Sequence, residues 1–383
     1  MKIYLIAGEP SGDLLGSRLM RAIISKYPDT EFFGVGGETM ENEGLNSLFD
    51  ISELAVMGVF EVIPSIPRIL SRIKQTVQDI ERVRPDVVVT VDSWSFSARI
   101  HKALRKEKLG IPQIHYVAPQ VWAWKKKRAR TMYKYIDHLL TLFPYEPKYF
   151  TPYHLDATFV GHPVIESSVI YSNETDFRER FNIADNQKIM ALLPGSRKNE
   201  VARLLPVFLN AAQRFHQKNP EFVFVVPTVR TVEDKVRQMV QSSSLPLIVV
   251  NTEADRHDAF KASAVAVAAS GTVALELAMI DVPHLIAYKV APFTAFLARH
   301  LLKIEFVNLS NILLGREIVP ELLQENCTED KILYYVSEFL KKGDLYERQM
   351  EGFQKVKEIL GLGEQTPSAN AADIIFHIVK KKH

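Results

Sequence analysis

A single cysteine, Cys327, stands among 383 residues, which excludes an internal disulfide and any zinc cluster built on thiolates. No window approaches the roughly 20 apolar residues that a bilayer-spanning helix needs, so any membrane contact is expected to be peripheral. The opening run Met1-Lys2-Ile3-Tyr4-Leu5-Ile6-Ala7-Gly8 reads as a strand rather than a signal peptide. Charge of one sign is also scarce: 47 Lys and Arg against 45 Asp and Glu leave a formal +2. No global field therefore selects nucleic acid as the partner. G-x-G-x-x-G is missing after the first strand, and H-E-x-x-H and D-x-D are missing throughout. These absences remove the nicotinamide fingerprint, the zinc-protease helix and the paired carboxylates that commonly hold a metal on a leaving diphosphate. Neither a metal nor a cofactor is expected.

What is present is a globular composition, 47% hydrophobic and 24% charged, over a length that predicts two domains. Apolar runs of strand length alternate with amphipathic segments of helix length, the pattern of α/β folds with parallel sheets. Strands are expected at 3–7, 32–35, 87–91, 114–117 and 139–143, then at 189–193, 222–226, 247–250, 264–268 and 284–287. The simplest architecture is two Rossmann-like domains facing a central cleft, residues 1–164 and 165–365, joined near Gly161-His162-Pro163-Val164. Residues 368–382 read as an amphipathic helix, within a C-terminal segment 366–383.

The residues with chemical potential gather at strand ends. Leu192-Leu193-Pro194-Gly195-Ser196-Arg197 ends a strand and releases into a helix over 199–215. Unpaired N–H groups at such a turn, with the helix dipole, can hold an anion such as a diphosphate, and Arg197 adds a forked cation. Ser270-Gly271-Thr272 opens another helix whose first turn carries Glu276, placed to accept hydrogen bonds from a ribose or simply to complement the dipole. In company with the Gly195 turn, the ribose reading is preferred. Asp92 closes the strand at 87–91, either as a desolvated general base or as a turn residue capping the helix through 98–104. Asn311 is a donor for a phosphate or sugar oxygen, or a cap. His162 is read as structural. Residues 59–72 are apolar, edged with arginines and interrupted by Pro64 and Pro67, which argue against a long core helix; they lie in a headgroup layer or pack as a loop and helix. Trp122-Ala123-Trp124-Lys125-Lys126-Lys127-Arg128-Ala129-Arg130 sets aromatic anchors beside cations suited to anionic lipid or to substrate phosphates; a solvated helix face with buried tryptophans is the ordinary alternative.

Taken in order, Ala7-Gly8-Glu9-Pro10-Ser11-Gly12-Asp13, Val35-Gly36-Gly37, Glu53-Leu54-Ala55-Val56-Met57-Gly58, His115-Tyr116-Val117-Ala118-Pro119-Gln120-Val121-Trp122-Ala123-Trp124, Phe159-Val160-Gly161-His162-Pro163, Leu193-Pro194-Gly195-Ser196-Arg197, Ser270-Gly271-Thr272 and Asn311-Ile312-Leu313-Leu314-Gly315-Arg316-Glu317 resemble the lipid A disaccharide synthase family, inverting glycosyltransferases of the GT-B fold. The resemblance covers almost the whole chain. It implies transfer of 2,3-diacylglucosamine from its UDP carrier to the 6-hydroxyl of 2,3-diacylglucosamine 1-phosphate, with inversion. It places Gly195, Ser196 and Arg197 on the diphosphate, Ser270, Gly271 and Thr272 beside the donor, Glu276 on the ribose, and Asn311 near the phosphates or donor sugar. Asp92 becomes the base, and Glu9 positions the acceptor. One departure stands out: the family pattern D-x-P-x-F-N reads here Asp92-Ser93-Trp94-Ser95-Phe96-Ser97.

The resemblance further implies docking to the cytoplasmic face of the inner membrane through Phe60, Val62, Ile63, Ile66, Ile69 and Leu70. It also implies a C-terminal helix that packs on the first domain or exchanges within a homodimer, and no nucleic-acid partner. The competing readings are a UDP-N-acetylglucosamine 2-epimerase or a soluble-acceptor transferase of the same fold and, in another class, a non-enzymatic membrane or nucleic-acid binder.

Overall fold

The computed structural model describes residues 1–54, 59–121, 126–269, 271–291 and 305–381, without the side chains of 59–65 and 126. Met57, Trp122, Trp124 and Ser270, and the side chains of Phe60, Val62 and Ile63, lie outside the described residues. The chain divides into two compact units, Met1–Pro163 with Gly363–His383, and Val164–Leu362. Each is built on one six-stranded parallel sheet.

In the first unit the strands are β1 (Lys2–Ala7), β2 (Glu31–Val35), β3 (Val87–Val91), β4 (Gln113–Tyr116), β5 (His138–Thr141) and β6 (Asp156–Phe159), in spatial order β2-β1-β3-β4-β5-β6. Val87, Val88, Val89, Thr90 and Val91 are all buried, as expected of a central parallel strand covered on both faces and favoured by β-branched side chains. β1 pairs with β2 through Leu5 and Gly34. Gly34 has φ +140°, and a Cβ there would be driven into the Leu5 carbonyl oxygen. The second unit has β7 (Lys188–Leu193), β8 (Phe222–Pro227), β9 (Leu247–Val250), β10 (Ser263–Ala268), β11 (His284–Tyr288) and β12 (Glu321–Leu323), in order β12-β11-β10-β7-β8-β9. Both arrangements are Rossmann-like.

Two strands were not foreseen. β6 and β12 are short edge strands of 4 and 3 residues, and β6 is only partly buried, so neither carries a continuous apolar run.

The two prolines argue against a long buried core helix at 59–72; a long helix is present, Val59 to Val83, 25 residues, running through Pro64 and Pro67, but Ile66, Pro67, Arg68 and Leu70 are exposed on it. Both prolines fall in its first half. The buried stripe Ile73, Val77, Ile80 and Val83 comes later with the spacing of an amphipathic helix, and packs on Tyr4, Ile6, Val35 and Val88.

The helix Pro367–Lys380 rests on the helix Pro10–Lys26. Tyr27 stacks on Phe376, Lys26 Nζ lies 2.7 Å from Asp373 Oδ1, and Asn370 Nδ2 donates to the Val160 carbonyl at 3.0 Å. Ala371, Ala372, Ile375 and Phe376 join the core formed with Ile3, Leu5 and Leu19. Among the described residues no helix is long and apolar enough to cross a membrane.

Candidate active site

A parallel sheet opens a crevice where successive crossovers leave a strand in opposite directions, at its carboxyl end. In the first unit that point lies between β1 and β3, where Ala7 pairs with Val91. Glu9 and Asp92 follow two residues and one residue later. In the second unit it lies between β7 and β10, where Leu193 pairs with Ala268; the Gly195 turn and the Gly271–Glu276 stretch follow. Both sheets thus present their unusual residues at the one edge their topology leaves open.

The first crevice widens into a cavity of about 800 Å³ lined by Glu9, Asp92, Ser93, Ser95 and Gln120 on its polar side, by Leu54, Ile66, Ile69, Leu70, Trp94, Phe96 and Pro119 on its apolar side, and by Arg99 and Arg128. Asp92 and Ser93 both sit in the left-handed region, at φ 54° and 44°, a conformation that costs about 1–3 kcal/mol at each residue. The strain is held by bonds to the framework. Asp92 N donates to the Tyr116 carbonyl at 2.9 Å, and Ser97 Oγ donates to the Asp92 carbonyl at 2.9 Å. Ser97 thus anchors the turn that carries Asp92. The Asp92 carboxylate accepts from Ser93 N at 2.8 Å and from Ser11 Oγ at 3.4 Å. Burial, and then the negative charge of Glu9, hold its pKa above the ordinary carboxylate range. Glu9 precedes Pro10 at the start of its helix and accepts from Ser93 Oγ at 3.0 Å.

Next to Asp92 in sequence lies a buried polar cluster that the sequence did not announce. Thr90 Oγ1 is 2.7 Å from both His101 Nε2 and His115 Nδ1, and the Gln113 amide meets His101 Nδ1 at 2.8 Å. Burial lowers the His101 pKa to about 4 and holds that of His115 well below the ordinary imidazole value. Trp94, which stands where the family has proline, lays its indole on His115 with ring centroids 4.7 Å apart. The replacement therefore roofs the cluster and forms part of the cavity wall. His162 is buried against Phe143, and burial lowers its pKa to about 3.

Asp13, in the same opening motif, serves structure. Its carboxylate accepts from Gly37 N at 2.7 Å, Met40 N at 3.1 Å, Thr39 N at 3.0 Å and Thr39 Oγ1 at 2.7 Å, locking the glycine turn after β2 and the short helix Glu38–Asn42.

The second crevice holds a pocket of about 360 Å³ lined by Gly195, Ser196, Arg197, Glu200, Thr228, Arg256, Phe260, Gly271, Thr272 and Glu276, among others. Gly195 has φ +99°, which suits glycine at the turn. Glu276 lies in the first turn of the helix Val273–Met279. One expectation needs correcting: the main-chain N–H groups of Ser196 and Arg197 are not open to an anion, because Glu200 Oε2 accepts from them at 3.2 and 3.3 Å. Glu200 Oε1 also pairs with Arg197 Nη1 at 2.8 Å and accepts from Tyr288 OH at 3.0 Å.

Asn311 is corrected more sharply. It is fully buried, its Oδ1 accepts from Ile318 N and Val319 N, and its Nδ2 donates to the Val319 carbonyl and to Glu321 Oε1. The amide is consumed in fastening the turn ahead of β12, and it does not line the pocket.

Two residues missed in the sequence take its place. Arg256, on the helix Glu253–Lys261, lines the pocket and forms no ion pair among the described residues. Thr228, just past β8, is buried there with a hydroxyl that has no protein partner. Neither belongs to a glycine motif. Only the nonlocal alignment of β7, β8 and β9 brings them to the turn.

Two Rossmann-like units, one with a desolvated carboxylate at its switch point and the other with cations beside a glycine turn, define the class: a protein of the GT-B fold. Solved structures share this fold. A UDP-GlcNAc 2-epimerase from Neisseria meningitidis superposes with a TM-score of 0.67 at 13% identity over 100% of both chains. MurG of Acinetobacter baumannii gives 0.58 at 14% over 98% of this chain and 99% of its own. The model of the Lipid-A-disaccharide synthetase family matches residues 3–375, and the chain belongs to that family. It is 47% identical to the lipid-A-disaccharide synthase of Paramagnetospirillum magneticum, covering 100% of this chain and 98% of the relative. With that of Rhodospirillum centenum it shares 44%, covering 99% and 95%.

Proposed function

We propose that the protein transfers 2,3-diacylglucosamine from UDP-2,3-diacylglucosamine to the 6-hydroxyl of 2,3-diacylglucosamine 1-phosphate, giving the β-1,6 disaccharide 1-phosphate and UDP. The observation that carries the mechanism is Asp92, a half-buried carboxylate with raised pKa at the switch point of the first sheet. It takes the proton of the acceptor hydroxyl as that oxygen attacks the anomeric carbon. UDP leaves from the opposite face, which inverts the configuration. Glu9, tied to the same turn through Ser93, positions the acceptor. In the second unit Glu276 is assigned to the ribose. Arg197, Arg256, the main chain at Gly195, Gly271 and Thr272, and the hydroxyls of Ser196 and Thr228 are assigned to the diphosphate. Two guanidiniums supply positive charge there, so the reaction is proposed to need no metal. The test is to incubate the protein with both sugars in chelator-treated buffer and weigh the products. Absence of the disaccharide with and without added divalent metal would sink the reaction; its absence only in chelator would sink the metal-free mechanism.

Arg256 provides a specific check. Hydrogen bonds to a charged group are worth about 1.5–3 kcal/mol, so Arg256→Gln is expected to weaken UDP binding roughly 10- to 100-fold, read by calorimetry. An unchanged affinity would remove Arg256 from the donor site.

The epimerase reading is not favoured. Likeness to the epimerase is one of fold, whereas the family and its curated members are synthases.

The protein is further proposed to work at the cytoplasmic face of the inner membrane. Ile66 and Leu70 are 44% and 54% exposed on the helix Val59–Val83 while lining the Asp92 cavity, an apolar edge suited to acyl chains or a bilayer. Burying one such side chain gains about 1.5–3 kcal/mol. The double change Ile66→Ser, Leu70→Ser is expected to cut cosedimentation with phospholipid vesicles at least roughly tenfold while UDP binding persists. Undiminished cosedimentation would refute the docking role.

A further inference from the structure

We propose that Arg99 and Arg128 form the phosphate-binding subsite for the acceptor, inside the cavity that holds Asp92. The inference rests on the glycosyl transfer proposed above and assigns a specificity-determining pair within it.

The argument begins with charge pairing. Four arginines of the first unit have carboxylate partners, Arg21 with Glu43, Arg72 with Glu53, Arg82 with Asp79 and Arg105 with Asp137; Arg18, Arg68, Arg84 and Arg130 form no ion pair among the described residues but do not line the cavity. Arg99 and Arg128 both line the cavity, and neither forms an ion pair among the described residues. Arg99 donates to the Ser95 carbonyl one turn earlier on its helix Trp94–Glu107, which fixes the direction of its side chain and leaves its other donors for a ligand. Arg128 closes the short turn Lys126–Arg128 and makes no side-chain hydrogen bond to a described residue. Arg128 is half-buried and Arg99 is exposed at the cavity's edge, both beside the apolar wall of Leu54, Ile69 and Trp94. A partly desolvated cation such as Arg128 without a counter-charge is costly unless a ligand supplies the charge, and Arg99 adds a second fork in the same cavity. Two planar forks match the oxygens of a phosphate monoester better than point charges would.

The distribution of charge then orients the ligand. The cavity's carboxylates, Glu9 and Asp92, follow β1 and β3, whereas its cations come from the next helix and from the turn at 126–128. The groups acting on the Asp92 carboxylate are Glu9, Ser93 and Ser11, with neither guanidinium among them. A sugar phosphate entering this cavity is therefore drawn by its phosphate toward the arginines and repelled by it from Asp92. That leaves the hydroxyl on the far side of the ring at the base. A neutral acceptor receives no such orientation.

The test compares 2,3-diacylglucosamine 1-phosphate with the same sugar lacking the phosphate, as acceptors for the unaltered protein, Arg99→Gln and Arg128→Gln. Each substitution is expected to raise KM for the phosphorylated acceptor roughly 10- to 100-fold with a much smaller change in kcat, and so to erase most of the preference for it. Arg128→Lys, which keeps the charge without the fork, should recover part of the loss. Equal losses on both acceptors would mean a structural role, and an undiminished preference in both variants would mean that the phosphate binds elsewhere; either overturns the subsite. Equal efficiency of the two acceptors with the unaltered protein would overturn the subsite alone. No product from either would overturn the reaction on which it rests.

Discussion

Asp92→Asn is expected to lower kcat roughly 10²- to 10⁴-fold, the usual contribution of a positioned base, while UDP affinity stays unchanged because the nucleotide is assigned to the other unit. Asparagine keeps the size of the side chain and, through Ser93 N, its anchorage; what it loses is the ability to take a proton. Near-normal turnover would remove Asp92 from the mechanism. The pH profile adds a second reading of the same residue. A base must be ionised, so activity falls as pH drops through its pKa. Burial and the charge of Glu9 raise that pKa, so the acid limb should lie above the ordinary carboxylate range. Glu9→Gln removes the like charge, and the limb should then move to lower pH; a limb that stays in place would show that Asp92 does not feel Glu9. The neighbouring histidines do not confuse this reading, since burial keeps His101 neutral down to about pH 4 and lowers the pKa of His115 well below the ordinary imidazole value.

Gly34→Ala is expected to be the most damaging small substitution in the first sheet. The residue combines φ +140° with a Cβ position already filled by the Leu5 carbonyl oxygen. Backbone strain of about 1–3 kcal/mol and overpacking of about 1–3 kcal/mol add to a large share of the roughly 5–15 kcal/mol that holds a domain together. The clash is with main chain in a central strand, so no side-chain rotation relieves it. Gly44→Ala is the control: φ is +95°, yet nothing lies within 4 Å of the new Cβ, so only the strain remains. Urea midpoints of the two variants should differ clearly, and equal midpoints would show that the sheet shifts to accommodate the methyl group.

The fold was readable where secondary structure is announced locally. Continuous runs such as Val87-Val88-Val89-Thr90-Val91 marked the central strands, and the glycine turn at Gly195 marked a strand-to-helix junction that the structure places in a pocket. Edge strands were not readable, because β6 and β12 are too short to show a pattern. Pro64 and Pro67 misled because a proline rule that ignores position treats the first half of a helix like its packed interior. At the sites, residues next to a motif could be named, whereas Arg256 and Thr228 arrive from other strands and announce nothing in one dimension. Asn311 failed for the opposite reason. An amide in a polar stretch looks available for a ligand, and only the geometry shows its four bonds already made to Ile318, Val319 and Glu321. Glu200 is similar, since an acidic residue in a first turn gives no sign that it reaches back to the two amides before it.

The pairing of Ala7 with Val91 and of Leu193 with Ala268 separates what can drift from what cannot. Each crevice owes its existence to main chain leaving a sheet in two directions, a property of strand order rather than of the side chains that line the opening. The walls come from elsewhere: the turn at Leu54, the helix Val59–Val83 and the short turn Lys126–Arg128 border the first cavity without belonging to its sheet. An ancestor of this chain could therefore exchange one acceptor for another by rewriting those borders while every strand kept its register. The scaffold and the borders that face the acceptor thus fall on different stretches of the same chain.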